Sequence, residues 1–190
     1  MPTTPSSALI AGPRVYLRKP TTRDCDEILQ CMRDSRTLHR GVVNPMTTPA
    51  DFAAFLKRGR QSNRVQTVVC RRDDGVIVGV MNLNEIIRGV TQSAYVGYYL
   101  FQPFDRQGYM TEALDLILRY AFRTLKLHRI DAGIQPHNTR SISLVKRLGF
   151  RYEGTAKRLI KIAGRWRDHQ RWAILAEEYR PSRARRRLRN

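Results

Sequence analysis

Cysteine is scarce in this sequence, and its few copies form no recognisable framework. Three cysteines occur among 190 residues, Cys25, Cys31 and Cys70, with no C-x-x-C spacing. An odd number in this arrangement predicts neither a disulfide scaffold nor a zinc site, so we expect no metal and a reducing compartment, the cytoplasm. At this length and 42% hydrophobic, the chain can bury a core without disulfides.

Long hydrophobic runs and a secretion signal are missing as well. No apolar run approaches the roughly 18 residues that a membrane-spanning helix needs. The first residues, MPTTPSSALIAGP, lack the basic start and the apolar stretch of a signal peptide. We therefore expect neither export nor a membrane partner.

Acidic residues are few compared with basic ones. The sequence holds 16 Asp and Glu against 35 Lys and Arg, a net charge of +19. A pocket for a small polycation collects carboxylates, so this shortage weighs against such substrates. The positive charge favours polyphosphate partners, either a nucleotide-type ligand or RNA, and a merely solvated basic surface is the alternative. Residues 180–190 carry six of the arginines and no acid.

The most informative segment that is present runs from Tyr95 to Thr111, YVGYYLFQPFDRQGYMT. Apolar residues at both parities up to Phe101 predict a strand covered on both faces. Pro103 cannot continue a strand ladder, and Gly108 suits a sharp turn. An amphipathic helix follows, with a stripe at Leu114, Ile117, Leu118, Ala121, Phe122 and Leu125. A strand, turn and helix in this order gather unpaired N–H groups at one point, which suits a phosphate or pyrophosphate.

A second unit of the same kind follows along the chain. Arg129 to Ile134 reads as a strand ended by Pro136, and His137 to Ser141 opens a helix that Gly149 can terminate. If the two strands are parallel neighbours, the proline after each predicts that they stop pairing and splay apart. Ligands bind at such carboxyl ends of strands in α/β sheets, so we expect a slot between them.

The remaining segments complete an α/β pattern with a mixed sheet and no internal linker. Strands are predicted at 14–19, 65–71, 76–84, 151–162 and 169–177, and helices at 22–35 and 49–60. The turns at Asp73-Asp74-Gly75 and Ala163-Gly164 indicate two hairpins. The sequence thus predicts one domain over residues 13–179, with tails at 1–12 and 180–190.

Three stretches together resemble the GNAT N-acetyltransferases, and within them the RimJ/RimL type that acetylates ribosomal-protein N-termini. They are GYMTEALDLILRYAF, PHNTRSISLVKRLGFRYEG and GRWRDHQRWAIL, and the resemblance covers about residues 12–178. It implies the GNAT acyl-CoA acyltransferase fold, a mixed central sheet with splayed parallel strands flanked by helices. It also implies acetyl-CoA as co-substrate and a protein N-terminus as acceptor, a ribosomal one in the RimJ/RimL branch. The basic surface, by its charge, suits contact with RNA or the ribosome.

The resemblance also implies where acetyl-CoA binds. Its pyrophosphate lies at the turn before the helix, and its pantetheine lies in the slot like an added strand. The family pattern Q/R-x-x-G-x-G/A reads here from Asp105 to Met110, and only Gly108 keeps its place. Asp105 is expected to point away, because its carboxylate would repel the ligand. The residues expected to contact acetyl-CoA are Tyr99, Leu100, Phe101, Arg106, Gln107, Gly108, Tyr109, Met110, Thr111, Asn138, Ser141 and Lys146.

Ser141 is the candidate that handles the departing thiolate. Many relatives place a tyrosine in this helix, but Ser141 to Leu148 contains none. Ser141 matches the serine of the family's N-x-x-S pattern after Asn138 and can donate a hydrogen bond to sulfur. The alternative is that the Ser141 hydroxyl and the Asn138 amide only cap the helix.

No residue stands out as the general base. An α-amine has a pKa of about 7.7 to 8.0 and is partly neutral in the cytoplasm, so a strong base is optional, which favours an N-terminal amine over lysine. Glu85 and His169 are the catalytic candidates, each with a structural alternative. The motif W-R-D-H resembles the family's W-x-D-H, so Trp166, Asp168 and His169, together with Glu85, are expected to contact the acceptor.

Two other functions remain open. The first is an acetyltransferase for a small amine or an antibiotic, which an acidic acceptor cleft would indicate. The second is a non-catalytic module of the same fold that docks on ribosomes or RNA.

Overall fold

Eight strands form one mixed sheet in a computed structural model that describes residues 7–181. The order across the sheet is β1-β2-β3-β4-β5-β6-β8-β7. The strands are β1 (Ala8–Ala11), β2 (Val15–Arg18), β3 (Val65–Arg71), β4 (Ile77–Ile87), β5 (Ser93–Leu100), β6 (Arg129–Ile134), β7 (Arg151–Ile162) and β8 (Arg165–Leu175). The helices are α1 (Cys25–Asp34), α2 (Arg36–His39), α3 (Pro49–Arg58), α4 (Tyr109–Arg123) and α5 (Thr139–Arg147). The predicted α/β class and mixed sheet are confirmed.

Several boundaries differ from the prediction, and three of these differences change an element. Residues 8–11, predicted as part of a tail, form β1, because this short apolar stretch pairs antiparallel with β2 along the sheet edge. β8 begins four residues before the predicted start, since its pairing with β7 continues to the turn, where Ile162 faces Arg165. The helix predicted over 22–35 consists of a single turn at Thr22–Asp24 followed by α1, and α2 is additional. Residues 182–190 of the predicted basic tail lie outside the described residues.

Helices cover both faces of the sheet over β2 to β5, and each face has its own hydrophobic core. On one face α4 buries its predicted stripe, except Leu125, which lies beyond the helix end and is half-buried; Leu114, Ile117 and Leu118 are fully shielded from solvent. On the other face α1 and α3 pack Ile28, Phe52 and Phe55 against the sheet; the sheet residues of this second core include Val68 and Val80. A sheet covered on both faces exposes its strand ends rather than its faces, so a ligand site is expected at those ends.

The parallel neighbours β5 and β6 diverge after only three residue pairs. They pair from Ser93 with Arg129 to Tyr95 with Asp131, although β5 continues to Leu100. The predicted splay is therefore present, but the prolines are not its cause, because pairing ends well before them. At this point β4 carries a bulge, where Glu85 has φ 52° and the register with β5 shifts. A bulge bends its strand and increases the local twist, and this one lies beside the last residues at which β5 and β6 are paired.

No helix within residues 7–181 has both the length and the apolar character needed to cross a membrane.

Candidate active site

A cleft of about 950 Å³ opens where β5 and β6 separate. Its walls come from the end of β5, the N-termini of α4 and α5, and α2 with the loop that follows it. Three parts of the chain thus meet at one end of the sheet: the segment of α2, the unit of β5 with α4, and the N-terminus of α5.

One edge of β5 faces this cleft without a partner strand. Phe101 donates its backbone N–H to the Val78 carbonyl oxygen on the β4 side (2.9 Å). Because backbone groups alternate in direction along a strand, Leu100 and Tyr98 direct theirs away from β4 and into the gap. The Leu100 carbonyl oxygen accordingly accepts a hydrogen bond from His39 Nε2 on α2 (2.7 Å). An unpaired strand edge of this kind fits an extended ligand with amide groups.

Two helix N-termini lie at the mouth of the cleft. α4 follows Gly108, whose φ of 81° is a left-handed conformation that favours glycine. The first bond of this helix runs from the Glu112 N–H to the Gly108 carbonyl oxygen, so the N–H groups before it point out of the helix end. At α5, Asn138 accepts a hydrogen bond from the Ser141 N–H (3.2 Å) and caps the helix. Both ends favour anions.

The lining of the cleft is strongly basic. Arg40, Arg106, Arg140 and Arg147 contribute to it, and Asp105 is the one carboxylate among the lining residues within 7–181. The expectation that Asp105 points away is wrong. Its carboxylate lies 3.8 Å from Arg140 Nη1 and 4.0 Å from Arg106 Nε, and these two cations offset its repulsion of an anionic ligand.

Comparison with known proteins agrees with this geometry. The model of the acetyltransferase (GNAT) domain matches residues 14–151. The chain belongs to the GNAT acetyltransferase family. It is 46% identical over 177 residues to the probable N-acetyltransferase YjcK of Bacillus subtilis, which covers 88% of this chain and 97% of that protein.

Two further relatives connect this acetyltransferase to the RimJ/RimL type. Over 111 residues, 58% of this chain and 57% of the relative, it is 42% identical to the ribosomal protein uS5-alanine N-acetyltransferase of Escherichia coli. The solved structure of Mycobacterium smegmatis RimJ in complex with CoA-disulfide superposes with a TM-score of 0.83 at 28% identity, covering 95% of this chain and 93% of that one. The predicted family and type are confirmed.

Most of the residues predicted to bind acetyl-CoA line the cleft of this acetyltransferase. They are Tyr99, Leu100, Arg106, Gly108, Met110, Thr111, Asn138 and Ser141. The unpaired β5 edge, the two helix ends and the four arginines fit the extended amides and the phosphates of the co-substrate that the family uses. Within residues 7–181, no group of three metal-ligating side chains is close enough to hold an ion.

Four of the predicted cofactor contacts have their side chains elsewhere. Phe101 is fully buried in the core on the α1 and α3 face of the sheet. Gln107 donates to the Pro103 carbonyl oxygen (3.0 Å), and the Tyr109 ring lies under the Arg14 guanidinium at 5.0 Å. Lys146 lies over the Trp172 ring at 5.5 Å, in a separate depression on the α5 surface. These placements reflect local packing partners that the sequence pattern does not reveal.

The residues predicted for the base and the acceptor lie outside the cleft lining, whereas Ser141, predicted to act on the thiolate, is part of it. Glu85 is exposed on the β4 bulge. His169 is buried, and its Nδ1 is hydrogen-bonded to the Arg167 carbonyl oxygen (2.9 Å). Asp168 accepts a hydrogen bond from the Arg158 N–H (2.8 Å) across an irregular stretch of β7, and Trp166 is 60% exposed on β8.

Two polar side chains that the sequence reasoning missed do line the cleft. The Tyr98 hydroxyl is buried and has no hydrogen-bond partner among the described residues, and burial raises the pKa of Tyr98 to about 12. His39 is buried with its Nδ1 unpartnered in the same part of the chain, and burial lowers its pKa, so the ring is neutral. From the sequence, Tyr98 in an apolar strand and His39 near a helix end are both expected to be core residues, so neither is recognised as a site residue.

Proposed function

We propose that this acetyltransferase modifies the α-amine of a protein N-terminus, and that its acceptor is a ribosomal protein. The observation that carries the proposal is the basic β7–β8 hairpin beside the proposed acceptor entry, where Asp168 is the one acid between residues 157 and 169. A small polycationic acceptor needs free carboxylates, and this surface offers it repulsion instead. The relative from Escherichia coli named for uS5-alanine acetylation supports the same acceptor class.

The proposed arrangement of acetyl-CoA follows the electrostatics of the cleft. The first turn of α4 and the guanidinium of Arg106 bind the diphosphate, and Arg140 adds a second cation. The backbone groups of Tyr98 and Leu100 pair with the pantetheine amides along the open edge of β5. The bound co-substrate supplies an acetyl group activated as a thioester, whose sulfur departs as a thiolate.

The chain supplies few groups for proton transfer, and the proposed acceptor needs few. A partly neutral α-amine attacks without a strong base, whereas a lysine side chain, near pKa 10.4, adds its deprotonation to the barrier. Ser141, at the α5 N-terminus, is proposed to donate a hydrogen bond toward the departing sulfur. Glu85 and His169 remain the candidates for a base, with His169 the less accessible of the two.

The proposed entry for the peptide lies between the β7–β8 hairpin and the loop after α2. The hairpin turn is tied to this loop, because the Ala163 N–H donates to Asn44 Oδ1 (2.9 Å). Gln135, at the end of β6, anchors the loop by donating to the Gly41 carbonyl oxygen (2.7 Å). Trp166 stands exposed on the hairpin, where its ring can cover an incoming chain.

The same hairpin is proposed to contact ribosomal RNA. Its exposed basic residues are Lys157, Arg158, Lys161, Arg165 and Arg167. Asp168 is the one acid between residues 157 and 169, and it accepts the Arg158 N–H. A surface of this sign is attracted to phosphate through counterion release, so the contact should weaken as salt is added. A ribosomal acceptor also agrees with the predicted cytoplasmic location.

Paired peptides test the acceptor. One peptide carries the N-terminal sequence of a ribosomal protein with a free α-amine and no lysine, and its partner is blocked at the N-terminus and carries one lysine. We expect kcat/KM with acetyl-CoA to be at least about tenfold higher for the free N-terminus, because its amine is more often neutral. Spermidine serves as the small-amine control. Preference for the lysine peptide or for spermidine would overturn the proposal while leaving the acetyltransferase assignment intact.

A further inference from the structure

The helix that provides a tyrosine in many relatives provides none here, but a phenol reaches the same side of the cleft from β5. Tyr98 packs on the sheet face covered by α4 and α5, together with Ala113 and Val145. Its neighbour Tyr99 points to the opposite face, where it lies against His39 and Phe101. The hydroxyl of Tyr98 is therefore on the α5 side, the side of Ser141.

The Tyr98 hydroxyl is buried without a hydrogen-bond partner among the described residues, which is unfavourable for a polar group. Its oxygen is buried and makes no hydrogen bond among residues 7–181. Leaving a buried hydroxyl unpaired is costly, so such a group commonly has a partner that binds later. Tyr98 lines the cleft together with Ser141. Ser141 is near enough to lower the pKa of Tyr98, against the larger effect of burial, but the two hydroxyls do not meet the geometry of a hydrogen bond.

We propose that Tyr98 is a catalytic residue whose hydroxyl donates a hydrogen bond to the sulfur of the co-substrate as the thioester opens. The amine nitrogen forms its bond to the acetyl carbon, and the carbon–sulfur bond breaks with its electron pair remaining on sulfur. The amine proton passes to solvent, and the thiolate takes a proton from solvent after release. This assignment rests on the proposed binding of acetyl-CoA in the cleft and is independent of which amine accepts the acetyl group.

The pKa values of the Tyr98 phenol and of the CoA thiol decide whether Tyr98 donates a hydrogen bond or transfers its proton. Burial raises the pKa of Tyr98 to about 12, whereas an ordinary thiol has a pKa of about 8.5. The phenol therefore keeps its proton beside a thiolate and acts as a donor across the whole range in which the enzyme works. A donor to a charged acceptor stabilises the transition state more than the neutral thioester, so its removal affects turnover more than binding.

Tyr98→Phe tests the proposal by removing a single oxygen. We expect kcat to fall by about 10- to 100-fold while the KM for acetyl-CoA stays within about twofold. Independently of turnover, the pKa of the thiol of bound CoA, followed by the ultraviolet absorbance of the thiolate, should rise by about one unit. Tyr16→Phe, which alters another buried tyrosine of the same sheet outside the cleft, should change neither quantity.

Three results would overturn the proposal. The first is an unchanged thiol pKa in Tyr98→Phe. The second is a raised thiol pKa in Ser141→Ala alone, which would return the role to Ser141. The third uses the wild-type protein and so does not depend on how the variants fold: equal affinity for CoA and desulfo-CoA at alkaline pH. If neither compound binds, the proposed function fails as well, which separates the two conclusions.

Discussion

At the scale of single residues, His39 joins α2 to the end of β5 and makes the stability of the fold depend on pH. Its Nε2–H holds the Leu100 carbonyl oxygen at the end of the open β5 edge. Its buried Nδ1 has no partner within the described part of the chain, so a proton added there would stay poorly solvated. Burial accordingly lowers the His39 pKa below the ordinary value of about 6.5.

This shift predicts acid sensitivity of the fold. Below pH 6.5 His39 is protonated in the unfolded chain but stays neutral in the folded chain. The free energy of unfolding therefore falls as pH drops, until the pH reaches the lower pKa of His39 in the folded state. His39→Gln keeps a donor for Leu100 and removes the titration. Urea unfolding at pH 7 and pH 5 should show a smaller loss for the variant, by up to about 1 kcal/mol. Equal losses in both proteins would contradict this, since all other titrating groups are shared.

At the scale of elements, the close approach of β4 to β5 positions the open edge. Gly79 faces Leu100 in the antiparallel pair, and a Cβ at Gly79 would lie 2.5 Å from the Tyr99 carbonyl oxygen and 3.2 Å from Leu100 Cα. Both contacts are with backbone, which cannot rotate away. Glycine is therefore required here by spacing rather than by its backbone angles.

Gly79→Ala should push the cleft end of β5 outward. We expect a loss of about 1 to 3 kcal/mol in the free energy of unfolding and a weaker affinity for CoA. Gly89→Ala, beyond β4 with open space around its Cβ, is the matched control and should leave both unchanged. Denaturant unfolding and calorimetric titration with CoA measure the two effects. Wild-type CoA affinity in Gly79→Ala would show that the β4–β5 spacing does not position the site.

The elements also show what the sequence can and cannot predict. The stripe of α4, the turn glycine Gly108 and the Asn138 cap depend on residues close in sequence, and these predictions agree with the structure. The bulge at Glu85 depends on the register of β4 against β5, which no local pattern encodes. Tyr98 lies near Ser141, and His39 lies near Leu100, although each pair belongs to elements that are distant in sequence. The sequence alone therefore could not indicate that Tyr98 and His39 line the cleft.

At the scale of the whole molecule, the arrangement of charge explains why the cleft is positive. The chain has few acidic residues, and several of them form ion pairs with arginines outside the cleft. Arg18 and Asp24 form a pair at 2.7 Å, and Arg129 binds both Asp131 and Glu153. The depressed pKa values of Asp24 and Glu153 reflect their hydrogen bonds to these arginines, working against burial. With its acids engaged in this way, the molecule presents a basic cleft and a basic hairpin to phosphate-rich partners.

The most direct test of this account is to locate the acetyl group on natural acceptors. The purified protein is incubated with isotope-labelled acetyl-CoA and the ribosomal proteins of its own cell, and the labelled positions are identified by mass spectrometry. The account predicts label on the α-amine of one or a few ribosomal-protein N-termini. Label confined to lysine side chains, or found only on small amines when these are added, would contradict it.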